Sequence, residues 1–589
     1  MSKIENFNKD IHTLNYKEKY ENVRVTSKDL IKIESREVES LNGLFHFSVD
    51  PYETCLRASW YQEKKIADNG LKLPIDSDFE YWDEINVPSC WNTEIKDLYL
   101  YENMGLYFKQ FDYLKKEKER IFLHFEAVMY RAYIFLNGEP VAMHDGGSTP
   151  FSIEITNYIK ENNRLIIACD ASRSDDRVPM SNTDWFNYGG IYRDIMLVRT
   201  PKTFIKDWSS YLVNDTNFSK IAFNLSLDKE VDGFCTFEIK ELGIKKEIKI
   251  VNGKASDILE AKPILWDTDN PKLYDVSVNY NGDILCEKIG FREIKVEGLD
   301  VKLNGKSIYL KGVSVHEDHT DLGKTTNEEI IRNTIKDLKQ MNGNFLRLAH
   351  YPHTRLFSKL ADELGVLLWE EIPVYWAINF DSKMTYLDAE NQLSELILRD
   401  RNRASVIIWS VGNENPDTDS RLKFMSKLVD KAKSLDPSRL VSAACLVNTT
   451  KLKLEDRLMD KLDIIGNNEY YGWYEPRFED LLTIFENTEL DKPVIITEFG
   501  AGAKANNHST KDTMWSEEYQ QDIYKKQFQT ISKSKYIKGT TPWIFYDFRA
   551  VRRLNRYQKG FNRKGLIDSD RKTKKLAFYV TQEHYSKIK

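Results

Sequence analysis

Two glutamates in this 589-residue chain each close an apolar run. Glu414 ends VIIWSVGNE (406–414), and Glu498 follows VIIT in VIITEFGA (494–501). Alone, a carboxylate at such a place is ordinarily a solvated cap, because charged side chains mostly lie exposed. Two of them facing each other can do more. The charge on one raises the pKa of the other, so that one holds a proton while its neighbour stays ionised. A proton donor and a nucleophile paired in this way suit cleavage of a glycosidic bond. A gap of about 5–5.5 Å gives retention of configuration and about 6.5–9.5 Å gives inversion.

Other apolar runs also end in groups that can bind or react. They close on His316-Glu317-Asp318, on Arg347 and His350, on Asn468, Tyr470 and Tyr471, and on Trp543. Near the end of the chain, FRAVRRLNRYQKGFNRKG (548–565) holds Arg549, Arg552, Arg553, Arg556, Lys559, Arg563 and Lys564 with no Asp or Glu, in a chain whose net charge is -6. A solvated face or a subunit contact is the ordinary reading of the outlying arginines, since exposed charges usually contribute little.

The elements that must position these residues come in three blocks. From about 298 to 589, apolar strands alternate with helical stretches. Strands are predicted at 308–316, 344–350, 366–372, 406–414, 440–446, 462–471, 494–501 and 537–545. Runs such as NEEIIRNTIKDLKQM and HTRLFSKLADELG lie between them. Eight such units read as a (β/α)8 TIM barrel, which gathers its chemistry at the C-terminal ends of the strands. Residues 1–200 carry short aromatic and β-branched runs. One is RAYIFLNGEPVAMHDGG (131–147), where Asn137-Gly138 predicts a two-residue hairpin turn. This block reads as a jelly-roll-like β-sandwich. Residues 201–297 alternate apolar and polar residues over shorter strands and read as an immunoglobulin-like β-sandwich. The expected fold class is thus multidomain, β followed by α/β. Residues 1–39 have no assigned role.

Composition narrows the function. The 12 Trp, 31 Tyr and 29 Phe fit sandwich cores or sugar-stacking surfaces, core packing being the plainer account. Cys55, Cys90, Cys169, Cys235, Cys286 and Cys445 are scattered, without a CxxC or a His/Cys cluster. Buried reduced thiols and no metal or cofactor are expected. No apolar run is long enough to span a membrane, and no secretory signal is visible, so a cytoplasmic enzyme is expected. The acidic balance argues against a nucleic-acid partner.

The motifs together resemble glycoside hydrolase family 2 over nearly the whole chain. VPSCWN (87–92), HDGGSTPF (144–151) and TDWFNYGGIYRDIMLV (183–197) are similar to its N-terminal sandwich, and DNPKLYDV (269–276) to the end of its central one. LKGVSVHEDH, NFLRLAHYPH, VIIWSVGNE and VIITEFGA are similar to its barrel strands. The resemblance implies that Glu414 is the general acid/base, Glu498 the nucleophile of a retaining exo-glycosidase, Asn413 a ligand of the sugar 2-hydroxyl, and Tyr470 a donor to Glu498. NEYYGWY (468–474) and Asn562-Arg563-Lys564 resemble the β-glucuronidases of that family, in which an Asn-x-Lys pair holds the sugar's C6 carboxylate. An ammonium supplies charge there and an amide a directional donor. The same resemblance brings Asp184 to the sugar hydroxyls, lines the pocket with His350, Asn468, Tyr474 and Trp543, and implies a homo-oligomer, dimer or tetramer. An arginine expected shortly before Asn562 falls, without gaps, on Gln558, leaving Arg553 or Arg556 to serve instead. The stretch after the third strand, EEIPVYWAINFDSKMTYLD, lacks a long active-site insert, which opens the mouth to oligosaccharide as well as small-molecule glucuronides. A β-galacturonidase or β-galactosidase of the same family is the alternative.

Overall fold

The computed structural model describes residues 17–62, 79–116, 118–488 and 490–588. They form two units. The first takes residues up to 30, 37–172 and 187–202, and the second takes 31–36, 173–186 and 203 onward. Two short stretches that interrupt the first unit in sequence are therefore built into the second.

The first unit is an antiparallel β-sandwich. Its six-stranded sheet runs, in spatial order, Asp83–Val87, Gly43–Val49, Met104–Asp112, Asn162–Asp170, Arg131–Leu136 and Glu139–Asp145. Its four-stranded sheet runs Val38–Ser40, Ile195–Pro201, Glu119–Phe125 and Phe151–Glu154. Alternate residues of both sheets meet in a core around Trp91, Tyr107, Phe125 and Ile167. Asn137 and Gly138 form the predicted hairpin turn at φ of 54° and 88°, the positive angles that a type I′ turn demands. Part of the unassigned N-terminal stretch gains a role here: Tyr20 packs edge-on against Tyr133 on the outer face of the larger sheet.

The second unit begins with a three-on-four-stranded sandwich between Ile205 and Ile289, with Trp208, Phe223 and Phe237 in its core. A closed eight-stranded parallel barrel follows. Its strands are β1 (Leu310–His316), β2 (Phe345–Ala349), β3 (Leu367–Glu371), β4 (Val406–Asn413), β5 (Leu440–Cys445), β6 (Ile465–Asn468), β7 (Val494–Glu498) and β8 (Ile537–Thr540). Its longer helices start where a polar side chain can cap them. Asn327, Ser382, Thr418 and Ser516 each accept a backbone N–H of the first turn that follows. Segment 31–36 fastens sandwich to barrel: Arg36 pairs with Asp283, and Glu34 accepts from Arg355 at 3.0 Å. The six cysteines are free thiols, all buried except half-buried Cys286. Among the described residues no helix is long and apolar enough to cross a membrane.

All eight predicted strands form, each shorter than predicted, and β6 and β8 lose the most. β8 stops at Thr540, because Pro542 has no N–H to continue the ladder. Trp543 thus lies past the strand rather than in it. β6 keeps only four residues. Beyond it the chain turns back on itself, with Trp473 and Tyr474 both donating to the Tyr470 carbonyl at 3.0 Å.

The segment carrying Asn562 and Lys564 is fixed from beneath by a buried ion pair. Asp547 accepts from Lys575 Nζ at 2.7 and 2.9 Å, from the Gly565 amide at 2.8 Å and from Arg563 at 3.2 Å. Neither Asp547 nor Lys575 has an exposed side-chain surface. Burial holds the Asp547 carboxyl up at about 6 even with two cations beside it. Gly565 must be glycine, since a Cβ there would lie 2.4 Å from the Asp547 amide nitrogen. Lys575→Met should strand the Asp547 charge and destabilise the barrel by about 3–5 kcal/mol, read as a lower denaturant midpoint. Adding Asp547→Asn should restore part of the loss. Wild-type stability in Lys575→Met would remove this account of the anchor.

Candidate active site

The site is built around the buried side chain of Arg347, on β2. Leu346 and Leu348 on either side of it pack toward the helices, so strand alternation turns Arg347 into the barrel. Its Nη1 donates to Glu498 Oε1 at 2.9 Å. Its Nη2 donates to Asn413 Oδ1 at 2.7 Å and to Glu371 Oε1 at 3.0 Å. One cation thereby orders groups from β3, β4 and β7. Burial alone would raise the Glu371 carboxyl, but the Arg347 charge and the His350 hydrogen bond hold it near 2.

Strict alternation would leave Glu498 on the helix side, with Val494 and Ile496, which pack into the helix-facing core. A register shift between β6 and β7, where Asn467 pairs with Ile496 but Asn468 with Glu498, re-aims it to the mouth. A second shift lies between Ser410 and Asn413 on β4. Glu414 follows at φ 52°, a left-handed conformation that costs a non-glycine residue about 1–3 kcal/mol. Both acids are thus placed by local departures from regular strand geometry.

The two acids have different surroundings. Glu498 accepts from Arg347 on one oxygen and from the Tyr470 hydroxyl at 2.7 Å on the other. Among the described residues Glu414 accepts only from neutral donors, the Trp376 indole at 2.7 Å and Asn468 Nδ2 at 3.1 Å. Burial, and then the Glu498 charge, pushes the Glu414 carboxyl above its ordinary value. Asn413 uses its Oδ1 for Arg347 and Asn468, at 2.7 and 3.1 Å. Its buried Nδ2 has no protein partner among the described residues. That fixed amide offers one free donor beside the carboxylates. His350 stacks on Trp543 at 4.9 Å, its Nδ1 lying 2.8 Å from Glu371, and Trp185 and Tyr375 complete an aromatic floor.

The basic run sorts residue by residue. Lys564 is buried, donates to the Tyr474 hydroxyl at 2.9 Å, and sits 4.0 Å above the Tyr470 ring, with no carboxylate partner among the described residues. Burial would raise the Tyr474 phenol, but the Lys564 ammonium pulls it below its ordinary value. Asn562 holds the Lys564 amide through its Oδ1 at 3.1 Å and donates Nδ2 to Asp184 at 3.3 Å. Asp184 comes from segment 173–186, which is pinned to the second unit by the Phe186 amide on the Arg549 carbonyl and by Gln392 on the Val178 carbonyl. Arg553 clamps both Asp184 oxygens. Of the three candidates for an arginine role, Arg553 therefore reaches the site. Exposed Arg556 lies over Tyr557, and the Gln558 amide caps a turn on Asn555. Arg563 faces away, toward Asp547 and Asp568.

The structure brings Glu414, Glu498, Asp184, His350, Asn413, Asn468, Tyr470, Tyr474, Trp543, Asn562 and Lys564 into one connected set of contacts. The sequence reading gave no role to Glu371, Trp185, Tyr375 or Trp376. Arg347 stood out only as a strand end. Two consecutive glutamates closing the third apolar run were the available signal for Glu371.

Comparison with known proteins agrees with this arrangement. The profile for "Glycosyl hydrolases family 2, sugar binding domain" matches residues 38–201, and "Glycosyl hydrolases family 2, TIM barrel domain" matches 294–589. A β-glucuronidase of Streptococcus agalactiae is 29% identical over 80% of this chain and 87% of its own length. The crystal structure of Ruminococcus gnavus β-glucuronidase superposes with a TM-score of 0.82 at 26% identity, covering 96% of this chain and all of that one. A β-galacturonidase of Eisenbergiella tayi, solved with galacturonate, superposes with a TM-score of 0.81 at 26% identity over 96% and 99% of the two chains. With half of the chain matched by the barrel profile alone, and the sandwich profile preceding it in order, the protein belongs to glycosyl hydrolase family 2 and is a glycoside hydrolase.

Proposed function

We propose that the protein hydrolyses β-D-glucuronides from the non-reducing end with retention of configuration. The observation that carries the reading is Lys564. Its ammonium is buried without a carboxylate partner among the described residues, and it lies over the ring of Tyr470, whose hydroxyl reaches Glu498. A buried charge needs a counter-charge, and a uronic acid brings one to this place. A neutral sugar would leave the cation unpaired.

In the first step Glu498 attacks the anomeric carbon and Glu414 gives its proton to the departing glycosidic oxygen. In the second, Glu414 takes a proton from water, and the resulting hydroxide displaces Glu498 from the same carbon. Arg347 and Tyr470 each donate to one oxygen of Glu498 and so hold it in place. The free Asn413 Nδ2 is the donor for the sugar 2-hydroxyl. Asp184 and Asn562 face the ring hydroxyls, and Asn562 and Lys564 take the C6 carboxylate. The relatives and structural neighbours named as β-glucuronidases support this reading. The galacturonidase neighbour supports a second one. Galacturonate presents the same carboxylate and differs at the 4-hydroxyl.

Aryl β-D-glucuronide should be turned over faster than the corresponding galacturonide or galactoside, and Lys564→Ala should reduce kcat/KM on the glucuronide about 30- to 1,000-fold. A faster galactoside, or an unaffected Lys564→Ala, would sink the uronide reading. Proton NMR of the first-formed sugar should show the β anomer ahead of mutarotation; the α anomer first would mean inversion. The alkaline limb of the kcat/KM profile, set by loss of the Glu414 proton, should lie above the ordinary glutamate value of about 4.3. The Trp376 indole favours the ionised form, so Trp376→Phe should move that limb to higher pH. A limb that stays put, or moves down, would take the proton away from Glu414.

A further inference from the structure

The acid that protonates the glycosidic oxygen must touch the leaving group, so whatever stands beside Glu414 also meets the aglycone. Trp376 stands there. Its indole N–H holds Glu414 Oε2 at 2.7 Å, its amide donates to the Asn413 carbonyl at 2.9 Å, and its carbonyl accepts from Asn415 at 2.7 Å. Its ring is stacked on Tyr375 at 4.4 Å. The Arg552 guanidinium lies 5.4 Å from the centre of the Trp376 ring, at cation–π range.

Arg552 and Arg553 both lie within ion-pair range of Asp184 but hold it unequally. Arg553 takes both of its oxygens and Asn562 takes one. Arg552 approaches it no closer than 3.6 Å, beyond hydrogen-bond range. Among the described residues its one hydrogen bond goes to a neutral group, Asn182 Oδ1, at 3.3 Å, and 47% of its side chain is exposed. When a uronate carboxylate pairs with Lys564 and Asp184 with Arg553, Arg552 is left without a hydrogen-bonded carboxylate among the described residues, on the acid side of the site. Tyr557, stacked on Trp515 at 5.7 Å, steadies the loop that carries it.

We propose that Arg552, seated over Trp376, forms a leaving-group subsite that selects an anionic aglycone, one bearing a carboxylate or a sulfate near the scissile bond. The proposal rests on the β-glucuronide reading above. The sugar is held by Lys564 and Asn562, and Arg552 reads what is attached to it. Half-exposure keeps the guanidinium hydrated in the free enzyme, so the contact acts as selectivity rather than as a condition of turnover.

The test compares kcat/KM for 4-methylumbelliferyl β-D-glucuronide, with a neutral leaving group, and its 3-carboxyumbelliferyl analogue. The enzymes are the wild type, Arg552→Gln, Arg552→Lys and, as a control on the same loop, Lys559→Gln. Taking the ratio of the two substrates within each enzyme and comparing it between enzymes cancels their intrinsic leaving-group reactivity. The acid-to-neutral ratio should fall about tenfold in Arg552→Gln, be largely kept in Arg552→Lys and in Lys559→Gln, and decline in the wild type with added salt. An unchanged ratio in Arg552→Gln overturns the proposal. So does an equal loss on both substrates, which would assign Arg552 to the sugar or to the fold. Absence of wild-type turnover on both glucuronides overturns the sugar assignment, and this proposal with it.

Discussion

Everything at the barrel mouth depends on one desolvated guanidinium. Arg347 is fully buried, and burial of a charge without compensation costs several kcal/mol. The compensation comes from Glu371, Glu498 and Asn413, on three different strands. The same hydrogen bonds that make Arg347 tolerable fix the Glu498 carboxylate and the Asn413 amide at the barrel mouth. Charge also sets the two acids apart. The cation lies against Glu498 and not against Glu414, so the field of Glu498 acts on a neighbour that has only neutral donors. The difference between the two acids therefore follows from which of them Arg347 touches.

The second constraint is depth. Lys564 lies past the last barrel strand, where chain is ordinarily mobile, yet it is buried and held in place. A buried ion pair, Asp547 with Lys575, lies beneath it, and the close approach of Gly565 leaves the backbone no freedom at that point. The arginines further out in the same run have no such support. They grade from the clamped Arg553 to the half-exposed Arg552 and the exposed Arg556. One basic stretch thus contains cations in different surroundings, separated by burial and not by residue type.

Strand and helix periodicity made the barrel legible, because a parallel strand buried on both faces reads as an unbroken apolar run, as in VIIWSV and VIIT. The Asn137-Gly138 hairpin was legible because few residue pairs accept its backbone angles. The two glutamates stood out by following such runs. What the sequence concealed has a common cause. Glu371 and Arg347 look like strand-end caps until their burial and mutual pairing are known. The register shifts that aim Glu498 and precede Glu414 have no sequence signature. β6 was overextended because the aromatic residues after Asn468 have strand propensity, while tertiary contacts turn the chain at Tyr470. Trp376 and Trp185 were indistinguishable from the many other aromatic residues, and choosing between Arg553, Arg556 and Gln558 needed the position of Asp184.

Segment 173–186 joins none of the barrel's strands, and in sequence it lies more than a hundred residues before the first of them. It nevertheless supplies Asp184 and Trp185 to the mouth. The barrel is therefore not a self-sufficient catalytic module. Cut away from the preceding sequence, it would keep Glu414 and Glu498 but lose the carboxylate that neutralises Arg553 and a wall of its aromatic floor. Recombination that replaced the sequence before the barrel would have to keep this segment together with the guanidinium it meets. Asp184 and Arg553 belong to one compact unit although 369 positions separate them in sequence.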